Sequence, residues 1–249
     1  MINPKMRTFI FSIFLCYSFF CQGQTNQSGK NIVYRFERVF YLDAHTQGGG
    51  VGYLHGRLKG IYKTTYTDIH LNYYKDLKER RISNIFGSFN AFVYAKQNSF
   101  LNLKIGKTVS NIIFQKGENQ GVRVDYHLGI GLNVGLLKPY YLEIRRPNTG
   151  QSEYLRYESP YESNFLNIYQ IEGGTSFFRG IFESAIIPGG YAEAGLDFEF
   201  GEFKDIVRVL RVGGRFDLYP RNIDIMVLED NKPYFVTLFA RYALGWRTY

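Results

Sequence analysis

Three of the four histidines stand in segments where polar residues occupy every second position: His55, His70 and His127. Asp68 and Asp125 each precede one of these histidines by two residues. Imidazole and carboxylate groups on one surface can bind a metal ion or transfer protons as general acid and base. No ligand-spaced motif accompanies them, so the simpler interpretation is a buried hydrogen-bond network. The sequence therefore predicts no catalytic residues, no metal site and no cofactor.

Residues 121–136 show which type of element positions such side chains. The even-numbered residues of this segment are all apolar or aromatic, whereas the odd-numbered residues are Arg, Asp, His, Asn or Gly. Strict alternation of this kind is typical of a β-strand with one apolar face and one polar face. The segment exceeds the usual strand length of about 5–6 residues, and it is long enough for a tilted membrane-spanning strand, which needs roughly 9–11 residues.

Eight segments alternate in this way. Strands are predicted at 31–44, 51–59, 62–74, a segment ending at 100–106, 121 to about 143, 191–200, 205–219 and 234–246. An even number of strands returns both termini to the same end of a barrel. We therefore predict an all-β fold, an eight-stranded antiparallel up-and-down transmembrane β-barrel.

The connections between these segments fall into two classes. Those at 60–61, 107–120 and 201–204 are shorter, and those at 75–90, 146–189 and 220–232 are longer. Short periplasmic turns and long extracellular loops are expected of such barrels, and only the short connection at 44–50 departs from the pattern. Residues 146–189 are predicted to form a long extracellular loop. Within it, a short helix over 175–187 with Thr175 as its cap is expected, because the apolar residues no longer alternate.

The alternation alone does not say which face points outward. A soluble lipocalin-like barrel has its apolar face inside around a ligand, whereas a membrane barrel has its apolar face outside. Glycines on the polar face favour the membrane arrangement, because a narrow lumen needs small residues. These glycines are Gly129, Gly131, Gly195, Gly213 and Gly245. The polar faces also carry balanced charges, as a buried network requires.

The polar faces are therefore predicted to form a filled, charge-paired lumen. Its basic members are Arg35, Arg57, Lys59, Lys104, Arg123, Arg211, Arg215 and Arg241. Its other members are Glu37, Asp43, Asp68, Asp125, Glu193, Asp197, Glu199, Asp217, His55, His70 and His127. We expect His55 and His70 to approach one another, since their strands are adjacent. We expect residues 123–127 to meet Glu193 and Arg211.

The N-terminal residues have the pattern of a secretory signal peptide. Lys5 and Arg7 precede the apolar run 8–20, which is shorter than the roughly 18 apolar residues of a transmembrane helix. Cleavage after Gly23 divides the chain into a signal peptide, 1–23, and a barrel domain, 24–249. It also removes both cysteines, Cys16 and Cys21, so no disulfide is predicted in the mature chain.

The formal charge of the full chain is +8. In an exported chain without a nucleic-acid-binding module, this charge favours an anionic lipid surface over nucleic acid as the partner. The basic segments 78–81 and 145–146 are candidates for contact with lipopolysaccharide phosphates or with another outer-membrane protein. An ordinary solvated loop is the alternative for both.

Five segments carry a resemblance to known proteins: HGRLKGIYKTTY (55–66), KERR (78–81), GLLKPYYLE (135–143), PGGYAEAGLDFEFG (188–201) and RYALGW (241–246). They resemble a group of small, uncharacterised outer-membrane β-barrel proteins of Bacteroidota-type bacteria, over most of the mature chain. The resemblance implies a location in the cell outer membrane, but it supplies no catalytic motif.

The sequence thus predicts an integral outer-membrane protein with a structural, accessory or binding role in an outer-membrane assembly. A pore is disfavoured, because eight strands enclose little more than the side chains that fill them. One alternative is an outer-leaflet lipid A-modifying enzyme, for which His45 with Ser99 or Ser152 would be the candidate residues. The other alternative is a soluble exported ligand-binding barrel.

Overall fold

The computed structural model describes residues 35–60, 62–82, 91–116, 121–145, 150–158, 165–200, 206–227 and 231–248. The predicted signal peptide and the first residues of the first predicted strand lie outside these ranges. Within the described ranges, no helix has the length and apolar character needed to cross a membrane.

The described chain is built almost entirely of strands. In chain order they are β1 (Phe36–His45), β2 (Gly48–Leu58), β3 (Lys63–Tyr74), β4 (Arg81–Ile82), β5 (Phe92–Val93), β6 (Asn98–Phe114), β7 (Arg123–Pro139), β8 (Tyr141–Arg145), β9 (Ser152–Arg156), β10 (Ile171–Gly174), β11 (Ala185–Glu199), β12 (Ile206–Leu218) and β13 (Tyr234–Thr248). Eight of them close a barrel in the order β1-β13-β12-β11-β7-β6-β3-β2. Every pairing in the barrel is antiparallel and joins barrel strands that follow one another in the chain, except where the last strand, β13, meets the first, β1. The predicted eight-stranded antiparallel up-and-down barrel is therefore confirmed.

The barrel strands are strongly staggered. Following the paired residues from Arg38 through all seven other strands leads to Val236, whereas Arg38 itself pairs with Trp246, so the stagger around the barrel is ten residues. A stagger of this size makes the strands tilt by roughly 35–45° to the barrel axis and sets a narrow lumen. The inward side chains of all eight strands consequently meet in one crowded interior.

Two strands extend furthest beyond their predicted bounds. β6 continues to Phe114 rather than ending near Gly106, and β11 begins at Ala185 rather than at Tyr191. The second half of β6 does not alternate clearly in the sequence, because two of the outward residues after Ile105 are polar, Lys107 and Asn111. The connection predicted at 107–120 therefore shrinks to 115–122.

The predicted helix over 175–187 is wrong. Only a three-residue 3-10 turn, Ile181–Glu183, is present, and the residues after it belong to β11. Ile187 points into the lumen and is 1% exposed, while its neighbour Ile186 faces outward and is 68% exposed. Both faces of β11 are apolar at this level, so the period of two was not visible in the sequence.

The long loop region contains a sheet of its own. β8 lies at the centre of a three-stranded sheet between β9 and β10, and β4 pairs with β5 nearby. The loop sheet is stabilised by an apolar cluster whose members are Phe92, Leu142, Ile144, Phe165 and Ile171. The described parts of the region predicted as an irregular loop thus form a small folded cap.

The lumen is filled in three layers. At the loop end an apolar plug closes it, formed by Tyr74, Ala95, Phe100, Leu137, Ile187, Tyr219, Ile223, Ile225, Met226 and Phe235. At the end that holds the described chain termini lies a second apolar cluster, formed by Val39, Tyr41, Leu54, Tyr66, Val207 and Ala243. The ionised side chains lie mainly between these two clusters.

Crowding in the lumen leads to a test of the glycines. An added Cβ on Gly195 would lie 2.1 Å from the Val212 carbonyl oxygen and 2.7 Å from His127, whereas an added Cβ on Gly190 of the same strand would have its nearest neighbour at 3.6 Å. We expect Gly195→Ala to lower the free energy of unfolding by about 1–3 kcal/mol, because overpacking forces the backbone apart.

The measurement is equilibrium urea unfolding in detergent micelles, followed by the fluorescence of the single tryptophan, Trp246. Gly190→Ala is the matched control and should change the free energy of unfolding by less than about 0.5 kcal/mol. An equally small effect of Gly195→Ala would show that the lumen has room for a methyl group at this position.

Candidate functional site

The strand register places opposite charges directly across from one another on the inner wall. In the β11–β12 pair, Glu193 lies opposite Arg215 and Asp197 lies opposite Arg211. Where β1 meets β13, Asp43 lies opposite Arg241. Directly opposed residues on one face of a sheet have adjacent Cβ atoms, so these pairs are brought together by the backbone alone.

A central cluster joins two arginines to two carboxylates. The Arg241 guanidinium lies 2.6 Å from Glu193 and 3.4 Å from Asp43. The Arg215 guanidinium lies 3.0 Å from Asp43 and 3.2 Å from Glu193. Each side chain is at most 1% exposed. Charges removed from water in this way are tolerated only when they are paired and hydrogen-bonded, and here each arginine contacts both carboxylates.

Arg211 connects this centre to the end that holds the termini. It binds Asp197 through two hydrogen bonds of 2.7 and 2.6 Å, and the His127 ring nitrogen Nδ1 lies 2.7 Å from the same carboxylate. Two arginine guanidiniums share Glu199, since that of Arg123 lies 3.1 Å from its carboxylate and that of Arg247 lies 2.7 Å from it. Bidentate guanidinium–carboxylate pairs are rigid as well as strong.

A third cluster underlies the apolar plug. The Lys104 ammonium lies 2.6 Å from Asp217, and the Tyr74 hydroxyl donates a hydrogen bond of 2.7 Å to the same carboxylate. Asn133 donates a hydrogen bond of 3.0 Å to Asp217 as well. Asp217 is therefore bonded to an ammonium, a hydroxyl and an amide, which together satisfy most of its acceptor capacity.

Neutral donors complete the charge pairing. On the inward faces of the described barrel strands there are eight carboxylates, all buried, and six cations: Lys104, Arg123, Arg211, Arg215, Arg241 and Arg247. Tyrosine hydroxyls compensate for part of the difference, since Tyr41 donates to Asp68 at 2.6 Å and Tyr66 donates to Glu37. His70 lies 3.0 Å from Asp43 and adds a further partner.

The structure brings most of the predicted lumenal residues together but places four elsewhere. The predictions for His55, Arg57 and Lys59 are wrong, because β2 has its odd-numbered residues outside. Its inward positions are Gly50, Gly52, Leu54 and Gly56, which leave room for the rings of Tyr41 and Tyr66. Arg35 is exposed and lies just before β1. His55 and His70 are consequently on opposite faces of the barrel wall and do not approach one another.

Residues 123–127 meet a slightly different set of partners from the one expected. Arg123 pairs with Glu199 rather than with Glu193, while His127 shares Asp197 with Arg211. His45 is not in a loop; it lies at the end of β1 and its ring centroid is 4.7 Å from that of Tyr74.

Sequence reasoning missed Arg247 and Tyr74. The signal for Arg247 was present, since it continues the inward phase of Thr237, Arg241 and Gly245 by one more step. Tyr74 likewise continues the inward phase of β3. Both residues stand at strand ends, where few residues show the alternation.

The arrangement is suited to holding the barrel rigid. Among the described residues, no three His, Cys, Asp or Glu side chains are arranged to hold a metal ion. A cavity of about 20 Å³ lies beside Arg211, Asp197 and Tyr66, which is room for about one water molecule. The apolar plug lies between the ionised cluster and the loop end.

Comparison with known proteins finds similarity of fold only. No protein-family model and no curated protein matches the chain. Among solved structures, Neisserial surface protein A is similar with 9% identity over 86% of this chain and 96% of that chain, at a TM-score of 0.39. The attachment invasion locus protein Ail of Yersinia pestis is similar with 9% identity over 86% and 99%, at 0.38. The N-terminal β-barrel domain of Pseudomonas aeruginosa OprF is similar with 7% identity over 85% and 99%, at 0.34.

The fold and interior define the class of protein as a closed eight-stranded β-barrel with a filled, charge-paired lumen. This class follows from the strand pairing of the chain itself. The resemblance to small Bacteroidota-type barrels is not tested by these comparisons and stays a prediction.

The central cluster predicts a large effect for Glu193→Gln. The substitution keeps the shape of the side chain but removes one of the two negative charges that Arg215 and Arg241 contact in this buried cluster. We expect the free energy of unfolding to fall by about 3–5 kcal/mol, as when one partner of a buried ion pair is removed. Urea unfolding in micelles measures this value.

Glu183→Gln is the matched control for Glu193→Gln. Its carboxylate also binds an arginine, Arg156, but both side chains are more than 40% exposed. Exposed pairs contribute about 0–1 kcal/mol, so this control should be nearly neutral. Equal losses in the two variants would contradict a stabilising role for the central cluster.

Proposed function

We propose that this protein is an integral outer-membrane β-barrel with a structural, accessory or binding role. The observation that carries the proposal is the outward face of the barrel. On β7 from Val124 to Leu136, and on β13 from Tyr234 to Trp246, every outward residue is apolar or aromatic. About 13 residues at roughly 3.3 Å each, tilted by about 40°, span close to 30 Å, the thickness of a bilayer's hydrocarbon core.

The distribution of charge on the barrel wall supports a lipid surrounding. All eight acidic residues of the described barrel strands face inward. The exposed outward cations lie in the half of the barrel that holds the short turns: Arg38, Arg57, Lys63, Lys107 and Arg208. Long basic side chains near the edge of an apolar band can extend their charged ends to water and to lipid phosphates.

A soluble ligand-binding barrel is disfavoured by the same wall. Leu132, Val236 and Leu238 are 69%, 64% and 66% exposed and belong to a continuous apolar surface. Soluble monomers rarely expose apolar patches beyond a few hundred Å². The interior is also filled with paired charges, so the described part of the lumen has no room for a sizeable ligand.

The lengths of the connections between strands support one orientation of the barrel in the membrane. Those at 59–62, 115–122 and 200–205 are at the end that holds the described chain termini, and the longer ones at 75–97, 140–184 and 219–233 are at the other end. Long loops are typical of the extracellular side of such barrels. We therefore assign the folded cap to the outside of the cell.

No observation favours the lipid A-modifying enzyme. His45 faces the lumen beside the ring of Tyr74, and Ser99 lies on the outer wall of β6. Ser152 is in the loop sheet, where its hydroxyl donates to Glu172. The candidate histidine and the candidate serine of β6 are thus on opposite faces of the wall, so they do not form a nucleophile–base pair.

The membrane proposal is tested by placing a charge on the outward wall. Leu132→Arg should make folding into phosphatidylcholine vesicles less favourable by about 2–4 kcal/mol, the cost of arginine near a bilayer midplane. The fraction folded is measured after dilution from urea, by tryptophan fluorescence and protease resistance.

Phe178→Arg is the control for Leu132→Arg, because Phe178 is 74% exposed in the cap rather than on the barrel wall. This control should fold into vesicles as the unchanged chain does. A folded, monomeric chain that stays in solution after detergent removal would overturn the membrane proposal, and envelope fractionation of the producing cell would test the outer-membrane assignment.

A further inference from the structure

A cavity of about 720 Å³ lies on the outside of the barrel at its loop end. We call it the outer-wall cavity. Its floor is the outward face of β3, β6 and β7, with Tyr73, Ser99, Leu101 and Lys138. Segments of the cap cover it, including Thr175 to Phe177. It is separate from the lumen, because its floor residues are in the outward phase of their strands.

The lining of the outer-wall cavity is strongly basic. Four cations line it, namely Lys75, Arg81, Lys96 and Lys138, against one carboxylate, Glu79. That carboxylate is already engaged, since it lies 2.7 Å from the Lys96 ammonium. The cavity therefore has a surplus of positive charge, which attracts an anion.

Lys138 is the residue that most directly indicates a ligand. Its side chain is buried, with the residue only 3% exposed, yet its ammonium donates only to two backbone carbonyls, those of Pro139 at 3.3 Å and Arg179 at 3.1 Å. In the part of the chain that the structure describes, no carboxylate lies within ion-pair distance of it. A buried ammonium without a counter-charge is costly, so an anion bound here would stabilise it.

The position of the cavity indicates that the anion belongs to an amphipathic molecule. Below it, the outward face of β3, β6 and β7 continues as an apolar wall with Leu71, Leu103 and Val134. In the orientation proposed above, the cavity lies at the level where lipid headgroups of the outer leaflet meet the hydrocarbon. Aromatic rings frame its cations, with Lys138 Nζ 5.0 Å from the Phe177 ring and Lys96 Nζ 5.8 Å from the Tyr140 ring.

We propose that the outer-wall cavity binds the phosphate group of a membrane lipid whose acyl chains lie along the apolar wall of β3, β6 and β7. This proposal rests on the membrane placement of the barrel. Lys138 donates to the phosphate from the floor. Lys75 and Arg81 approach it from the connection at 75–97, Arg81 through the planar guanidinium group that suits phosphate oxygens.

The test measures lipid binding to the full folded chain in micelles of a phosphorus-free detergent, by native mass spectrometry. The probes are dioleoyl phosphatidic acid, dioleoyl phosphatidylcholine and inorganic phosphate. We expect phosphatidic acid to bind at least about tenfold more tightly than phosphatidylcholine, since its monoester phosphate can accept several charge-assisted hydrogen bonds.

Variants locate the binding. Lys138→Gln should weaken phosphatidic acid binding about tenfold, the loss of one charge-assisted hydrogen bond. Lys232→Gln removes the same charge from an exposed position outside the cavity and should leave binding unchanged. Lys75→Gln replaces an exposed residue of the lining and should weaken binding severalfold, which keeps the test decisive if Lys138→Gln fails to fold.

Three results would overturn the lipid site: equal binding of the two lipids, equal effects of Lys138→Gln and Lys232→Gln, or displacement of the lipid by inorganic phosphate at comparable concentrations. The last would identify a site for free phosphate instead. Insertion of the unchanged chain into vesicles is measured alongside. Retained insertion without lipid preference removes only the site, whereas failed insertion removes the membrane proposal itself.

Discussion

The pairing of buried arginines with buried carboxylates at the centre of the lumen is the constraint on which the rest of the barrel depends. Asp43 on β1, Glu193 on β11, Arg215 on β12 and Arg241 on β13 come from four strands and meet in one cluster. Asp43 and Arg241 also face each other where the last strand joins the first. A slip of one residue in any of these strands would turn its charge toward the apolar exterior, so the cluster specifies both register and closure.

Space in the lumen is the second constraint, and it acts together with charge. A barrel with eight strands has an interior just wide enough for side chains to fill, so each large inward residue requires a small neighbour. The rings of Tyr41 and Tyr66 lie over Gly52 and Gly56 of β2. The two rings need glycines beside them in the lumen. This need for space, rather than polarity, explains why the polar residues His55 and Arg57 of β2 face outward.

Because the lumen is filled, a binding site has room only on the outside of the barrel. The apolar plug and the ionic cluster close the described interior, whereas the cap and the upper wall create new surface. The cap adds its own small sheet, and the outer-wall cavity lies between this cap and the outward faces of β3, β6 and β7. The rigid interior thus serves as a support on which the loop end presents basic and aromatic side chains.

The sequence by itself determined the number of strands, the up-and-down order, and the inward placement of residues such as Asp68, Glu193 and Arg241, because alternation with a period of two is a local signal. It could not assign the faces of β2, the true length of β6 or the sheet within the cap. Those features depend on which rings share the lumen, where the apolar band ends and which distant segments pair. Only the tertiary structure decided them, since volume and partners in a closed barrel come from strands far apart in the chain.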